Sequence, residues 1–134
     1  MAGLRIGYLI AKPEIATQIR KNVVAMSNVL AIEAAKEALA DKAFYEFSLQ
    51  KNREAKARIY TLLYHLKLDY VESHTNFIFF HAKKDIRELG PAMLAKGVRI
   101  GRPFPPFYDW CRISTVTLEE VDVFIKGMME IYEG

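Results

Sequence analysis

Phe77-Ile78-Phe79-Phe80 is the most constraining stretch of the sequence. Successive side chains of a strand point to opposite faces, so this run is apolar on both. The surrounding segment, Thr75-Asn76-Phe77-Ile78-Phe79-Phe80-His81, reads as a strand whose two faces both need cover. Candidate partners lie close by in sequence. Tyr70 to Ser73, Val98 to Ile100 and Cys111 to Thr115 also read as short strands. Asp85 is placed to cap a helix to Lys96, with Gly97 as its C′ residue. Pro91 falls inside that span and predicts an irregular or restarted helix near Gly90. Thr117 caps the last helix, and Glu120 completes a capping box. That helix presents Val121, Phe124, Ile125, Met128 and Tyr132 on one face. From residue 70 onward the order is strand, strand, helix, strand, strand, helix. This is an α+β pattern, with helices on one face of a small, mostly antiparallel sheet.

The first half reads differently. Leu4 to Ala11 is a β-branched and aromatic run, apolar on both faces. It predicts one more strand, but few segments are left to pair with it, so it is expected to belong to a larger sheet. Pro13, followed by Glu14, opens a helix to about Met26. Ser27 or Asn28 caps a second helix to about Ala40. Asp41 caps a third, long one to about Leu66, with the apolar stripe Phe44, Phe47, Ala55, Ile59, Leu62, Leu63 and Leu66. The basic stretch Lys51 to Arg58 includes Glu54 and has no interleaved aromatics, which predicts a solvated face.

Composition excludes several classes. A net charge of +3, spread along 134 residues, does not describe a nucleic-acid binder. No apolar run approaches the roughly 18 residues of a membrane span. Arg5 interrupts the first apolar run and no small-residue cleavage site follows, so a signal peptide is not expected. Cys111 is the single cysteine, which excludes an internal disulfide and fits a reducing, cytoplasmic location. Its surroundings suggest a small buried hydrophobe. His65, His74 and His81 have no metal-ligand spacing, Ser73-His74 has no third triad member, and no Gly-rich loop opens a helix.

What remains is a set of anion-binding groups at strand positions or strand ends: Arg5, Arg102 and Arg112, with Asn76 opening an otherwise apolar strand. Arg112 lies between Cys111 and Ile113, so its guanidinium points away from the face that Ile113 occupies. A guanidinium on a strand offers a fixed fork to a carboxylate or phosphate. The plain structural alternative is an edge arginine paired with a surface glutamate. Together the four residues suggest a pocket for a ligand with several acidic groups.

Three blocks carry a family resemblance. Ala2-Gly3-Leu4-Arg5-Ile6-Gly7-Tyr8 resembles the segment after the catalytic lysine of fold-type I pyridoxal-phosphate aminotransferases. Thr75-Asn76-Phe77 resembles the Asn-Phe strand of their small domain. Arg112-Ile113-Ser114, with Thr117 and Glu119-Glu120, resembles their C-terminal Arg-Ile-Ser motif and the helix after it. The order and spacing of the blocks match, and the histidinol-phosphate aminotransferase-like branch is the most similar.

The resemblance implies a C-terminal portion of such an enzyme. Residues 1–40 would end the large cofactor-binding domain, 41–66 would form a connecting helix, and 67–134 the small domain. It implies pyridoxal 5'-phosphate as cofactor, an amino acid and a 2-oxo acid as substrates, and a homodimer. It gives Arg5 to the cofactor phosphate and Arg112 to the substrate α-carboxylate. Asn76 would lie near that carboxylate, and Arg102 would meet an acidic side chain or phosphate of the substrate. Val116 departs from the glycine usual in the family. The Schiff-base lysine is expected before Met1, and Lys12, beyond Arg5, does not replace it. The chain alone is therefore expected to be inactive. The alternative is a non-enzymatic binding or assembly module with a basic cleft.

Overall fold

A computed structural model describes residues 2–134. The chain divides into two compact units, residues 1–46 and 47–134.

In the first unit, residues 2–4 form a single 3-10 turn and Arg5 adopts a left-handed φ of 52°. The strand expected over Leu4 to Ala11 is not formed; residues 6–12 have no regular structure. A strand exists only where its N–H and C=O groups find a ladder partner. None of the described segments pairs with this one. Tyr8, Leu9 and Ile10 are 77%, 62% and 86% exposed, so the apolar run covers nothing. Helix α1 (Pro13–Lys21) starts at its proline as expected but stops well before Met26. Asn22 closes it by donating its side-chain amide to the Gln18 carbonyl at 2.8 Å, and β-branched Val23 and Val24 follow. Helix α2 (Val29–Ala40) is capped by Asn28, whose Oδ1 accepts from Leu30 N–H at 2.9 Å. Helix α3 (Lys42–His65) begins at the expected cap, with Asp41 Oδ1 accepting from Phe44 N–H at 2.9 Å.

The second unit contains the rest of α3, then β1 (Tyr70–Val71), β2 (Phe77–His81), α4 (Ile86–Ala95), β3 (Trp110–Ser114) and α5 (Leu118–Glu133). The three strands form an antiparallel sheet in the order β1-β2-β3. Register is set by Ile78 opposite Ile113 and Phe80 opposite Cys111. These four side chains are buried on one face with Ile59 and Leu63 of α3, Leu89 and Met93 of α4, and Val121, Phe124 and Met128 of α5. A one-residue slip of either strand would turn its two to the other face, so burial itself disfavours that slip. The opposite face presents Phe77, Phe79, His81, Trp110 and Arg112, all half-buried. The architecture is α+β, with helices on one face of a small antiparallel sheet.

Two expectations are corrected here. Val98 to Ile100 is not a strand; one bond, from Gly101 N–H to the Arg112 carbonyl at 2.9 Å, ties this segment to β3. A Cβ on Gly101 would fall 2.6 Å from that carbonyl oxygen, so only glycine permits the approach. Helix α4 is continuous through Pro91 rather than restarted. Gly90 has no Cβ to clash with the proline ring, and the Arg87 carbonyl that loses its donor belongs to an exposed residue.

Helix ends follow from identifiable bonds. Thr117 and Glu120 form the capping box of α5. Gly97, at φ +83°, ends α4 with its N–H on the Leu94 carbonyl (2.9 Å), while Val98 N–H reaches Met93 (3.0 Å). This is the paired-bond ending that favours glycine. Lys67 makes the same ending for α3, at φ 54°, and seats Leu68 in the core through its N–H to the Leu63 carbonyl at 2.8 Å. A lysine there carries the steric cost of the left-handed region, about 1 kcal/mol. Lys67→Gly should therefore raise stability by about that amount, read from the urea midpoint. Thr117→Ala should lower it by about 1 kcal/mol, and the helical circular-dichroism signal below the transition should stay unchanged.

Candidate functional site

Arg112 occupies the centre of β3 with Phe79 directly opposite on β2. Its guanidinium carbon lies 5.5 Å from the Phe77 ring centre and 5.1 Å from that of Phe104. Phe79 stacks on Trp110 at 5.0 Å and meets Phe104 edge-on at 6.0 Å. Arg112, Phe77, Phe79, Phe104 and Phe107 line a cavity of about 310 Å³. The surface glutamate of the plain structural alternative is not there. Among the described residues Arg112 has no carboxylate partner. A cation held against aromatic faces, with its donors open, is suited to a carboxylate brought by a ligand.

Arg102 comes to the same place from the Pro-rich loop, 4.9 Å from the Phe104 ring centre. The loop is held to the sheet and to α4 by Ala82 N–H on the Asp109 carbonyl and Ile86 N–H on the Tyr108 carbonyl, both 2.7 Å. The structure thus brings Arg102 and Arg112 together around one ring. It does not bring Asn76 into that cavity. Asn76 is exposed and lines a separate one of about 510 Å³ beside Asn52, Thr115 and Thr117. Its carbonyl accepts from Thr115 N–H and from Thr115 Oγ1, each at 2.8 Å. Arg5 is exposed and belongs to the first unit. Reading single residues missed Phe104 and Phe107. The alternation of β2 carried part of the signal, since Phe77 and Phe79 share the face of Arg112.

Several other titratable groups have structural partners. His81 Nε2 meets Asp109 Oδ2 at 2.8 Å, while Lys83 N–H donates to its Nδ1 at 3.3 Å. His65 Nε2 meets Glu133 at 2.7 Å. Among the described residues no three His, Cys, Asp or Glu side chains could hold a metal ion. The basic face of α3 is solvated and paired, Lys51 with Glu54 of the same helix at 2.9 Å and Arg58 with Asp122 of α5 at 2.7 Å. Lys56 donates to the Ser73 carbonyl at 2.8 Å. Among the described residues no helix is long and apolar enough to cross a membrane.

Comparison with known proteins gives these features a family. The sequence matches the family described as aminotransferase class I and II over residues 1–128. Histidinol-phosphate aminotransferase of Moorella thermoacetica is 37% identical, over 98% of this chain and 34% of that protein. The enzyme of the same name from Symbiobacterium thermophilum is 34% identical, over 96% of this chain and 36% of that one. Among solved structures, histidinol-phosphate aminotransferase from Sinorhizobium meliloti, in complex with pyridoxal-5'-phosphate, superposes with a TM-score of 0.77 at 27% identity. It covers 98% of this chain, which spans 38% of it. An aspartate aminotransferase from Thermotoga maritima, at 24% identity and a TM-score of 0.78, shares the fold; it covers 100% of this chain, which spans 37% of it. The chain belongs to the class I and II aminotransferase family, and spans about a third of the length of the curated relatives it matches.

A buried thiol and a half-buried hydroxyl make the second unit sensitive to alkali. Burial pushes the Cys111 thiol up to about 12. Burial, and then Cys111 itself, push the Tyr132 hydroxyl to about 12; that hydroxyl donates to the Ala82 carbonyl. Above the ordinary thiol value of about 8.5 the unfolded chain loses protons that the folded chain keeps. Stability should therefore fall as pH rises from about 8.5 towards 12, seen as a falling urea midpoint. Cys111 should also resist a thiol reagent at pH 8 in the native state and react fully in urea.

Proposed function

We propose that the complete protein is a pyridoxal-phosphate-dependent aminotransferase of histidinol-phosphate aminotransferase type, and that this chain is its C-terminal part. It would move an amino group between an amino acid and a 2-oxo acid. The observation that carries this reading is Arg112: a guanidinium in the middle of β3, walled by aromatics and without a carboxylate of its own among the described residues. Its planar fork matches a carboxylate bidentately, which a lysine cannot do. Transamination needs the amino acid held so that the bond to be broken at Cα stands across the cofactor plane, and two parallel hydrogen bonds to the carboxylate set that orientation.

Arg102 would take a second acidic group of the substrate, either a side-chain carboxylate or a phosphate. Asn76, from its neighbouring cavity, would lie at the edge of the bound substrate. Arg5 would hold the cofactor phosphate; an exposed guanidinium fits a phosphate in charge and geometry. When bound, the cofactor supplies the electron sink for charge developing at the substrate carbon. The exposed apolar groups of the first unit, Tyr8, Leu9, Ile10, Val24 and Met26 among them, support a homodimeric assembly. A cytoplasmic location goes with the lone buried thiol. We also propose the division into 1–40 from the large domain, 41–66 as connector and 67–134 as small domain.

In the complete enzyme, Arg112→Lys should raise KM for the amino acid at least about tenfold, from the loss of one charge-assisted hydrogen bond, and leave the melting temperature within a degree or two. A large fall in melting temperature with unchanged kinetics would make Arg112 structural and remove the main support for this reading. The 134-residue chain by itself should show no amino transfer and no stoichiometric lysine adduct after pyridoxal phosphate and borohydride. A single modified lysine in the intact mass would contradict that expectation.

A further inference from the structure

We propose that a further cavity, on the helix-covered side of β3, binds an aliphatic monocarboxylate, with the carboxylate at the outer edge of β3 and the hydrocarbon chain against the core. This does not rest on the activity proposed above. The cavity measures about 410 Å³ and lies between β3, α5 and residues 97–101. It is distinct from the one walled by Phe77 and Phe104, because Ile113, Val121 and Phe124 line it and belong to the opposite face. Ile59 of α3 joins them. Ile59, Val121 and Phe124 are at most 2% exposed, so the inner end is an apolar floor. Arg99, Ser114 and Glu120 are exposed and stand at the mouth.

Backbone donors meet the ligand at that mouth. His81 N–H turns to the β1 side, onto the Asp69 carbonyl at 2.7 Å. By alternation, Ile78 and Phe80 turn to β3 and bond with Ile113 and Cys111 opposite them. The N–H groups of Arg112 and Ser114 therefore point away from β2, to the edge where the cavity opens. On that edge Gly101 N–H occupies the Arg112 carbonyl, at 2.9 Å. Among the described residues neither N–H has a backbone acceptor, and Arg99 has no carboxylate partner. A half-buried donor without an acceptor is costly, and a ligand bringing acceptors removes that cost. Two N–H donors and a guanidinium at one mouth call for an anionic group that only accepts, which a carboxylate is. Glu120 does not serve them, since its Oε2 accepts from Thr117 N–H at 3.1 Å and from Thr117 Oγ1 at 3.2 Å. An added strand does not fit, because Gly101 already occupies that flank of β3. The floor is apolar, so the rest of the ligand is hydrocarbon.

The test titrates the 134-residue chain with propionate, butyrate, hexanoate and hexanol, followed by amide and methyl nuclear magnetic resonance. Hexanoate should shift the Ile59 and Val121 methyls and the Ser114 amide together. Each added methylene should tighten binding about fourfold. Arg99→Gln, at an exposed position where folding is not at stake, should weaken hexanoate about tenfold and leave hexanol within about twofold. Val123→Trp, at a residue 47% exposed on the cavity wall, should weaken hexanoate and hexanol alike by filling the space. The proposal is overturned if hexanoate shifts the Phe77 and Phe104 rings and not Ile59 and Val121, which would place it beside the Arg112 side chain. It is equally overturned if chain length makes no difference, or if Arg99→Gln binds hexanoate as the native chain does. Shifts of Ile59 and Ser114 that follow protein concentration, with no response to hexanoate, would seat a second copy at this edge and contradict it too. None of these readouts needs turnover. Hexanoate binding in a protein that fails as an aminotransferase would refute the proposed activity alone, and an active enzyme that ignores hexanoate would refute this cavity alone.

Discussion

The β2–β3 ladder is the constraint on which the second unit depends. Its antiparallel register puts Ile78, Phe80, Cys111 and Ile113 on one face, and Phe77, Phe79, Trp110 and Arg112 on the other. The first set is buried against α3, α4 and α5, and fully burying side chains of this size stabilises by about 1.5–3 kcal/mol each. A one-residue slip of either strand would turn its pair out of the core. The position of Arg112 is therefore set by the burial of its neighbours on the strand. A side chain placed this way does not depend on its own interactions for its location.

The open face is built from the same logic. Its aromatic residues form a wall against which a guanidinium can rest without a counter-charge. Ion pairing would hold Arg112 more tightly, but would also spend the donors that a ligand requires. Ring faces attract the cation and leave its N–H edge available. The loop from Arg102 to Asp109 adds Phe104 to that wall, and the Gly101 bond to the Arg112 carbonyl fixes where the loop begins. Burial on one side of the sheet and cation–ring contacts on the other so meet at a single residue.

Much of this was legible in the sequence because it rests on local rules. Asp41, Asn28, Asp85 and Thr117 are helix caps as their residue types announce. The alternation around Phe77 and Arg112 gives the sheet faces. What could not be read depends on partners distant in sequence. Leu4 to Ala11 has the composition of a strand but no ladder among the described residues. Val98 to Ile100 has it too, yet makes a single bond to β3 through Gly101. Pro91 was a breaker by rule, and its neighbour Gly90 removed the clash. Phe104 was invisible as a site residue because nothing in a Pro-rich loop says which strand its ring will face. Asn76 lies one residue before β2 and opens into a different cavity from the one that Arg112 shares with Phe104.

The central claim is that Arg112 is held in place by its strand so that its fork can serve a ligand carboxylate. The most direct test is a crystal structure of the proposed complete enzyme with an amino acid bound. The account predicts the α-carboxylate in two parallel hydrogen bonds to Arg112, at about 2.7–2.9 Å, with Phe77 and Phe104 still against the guanidinium. An Arg112 turned to a protein carboxylate, with the substrate held elsewhere, would contradict it.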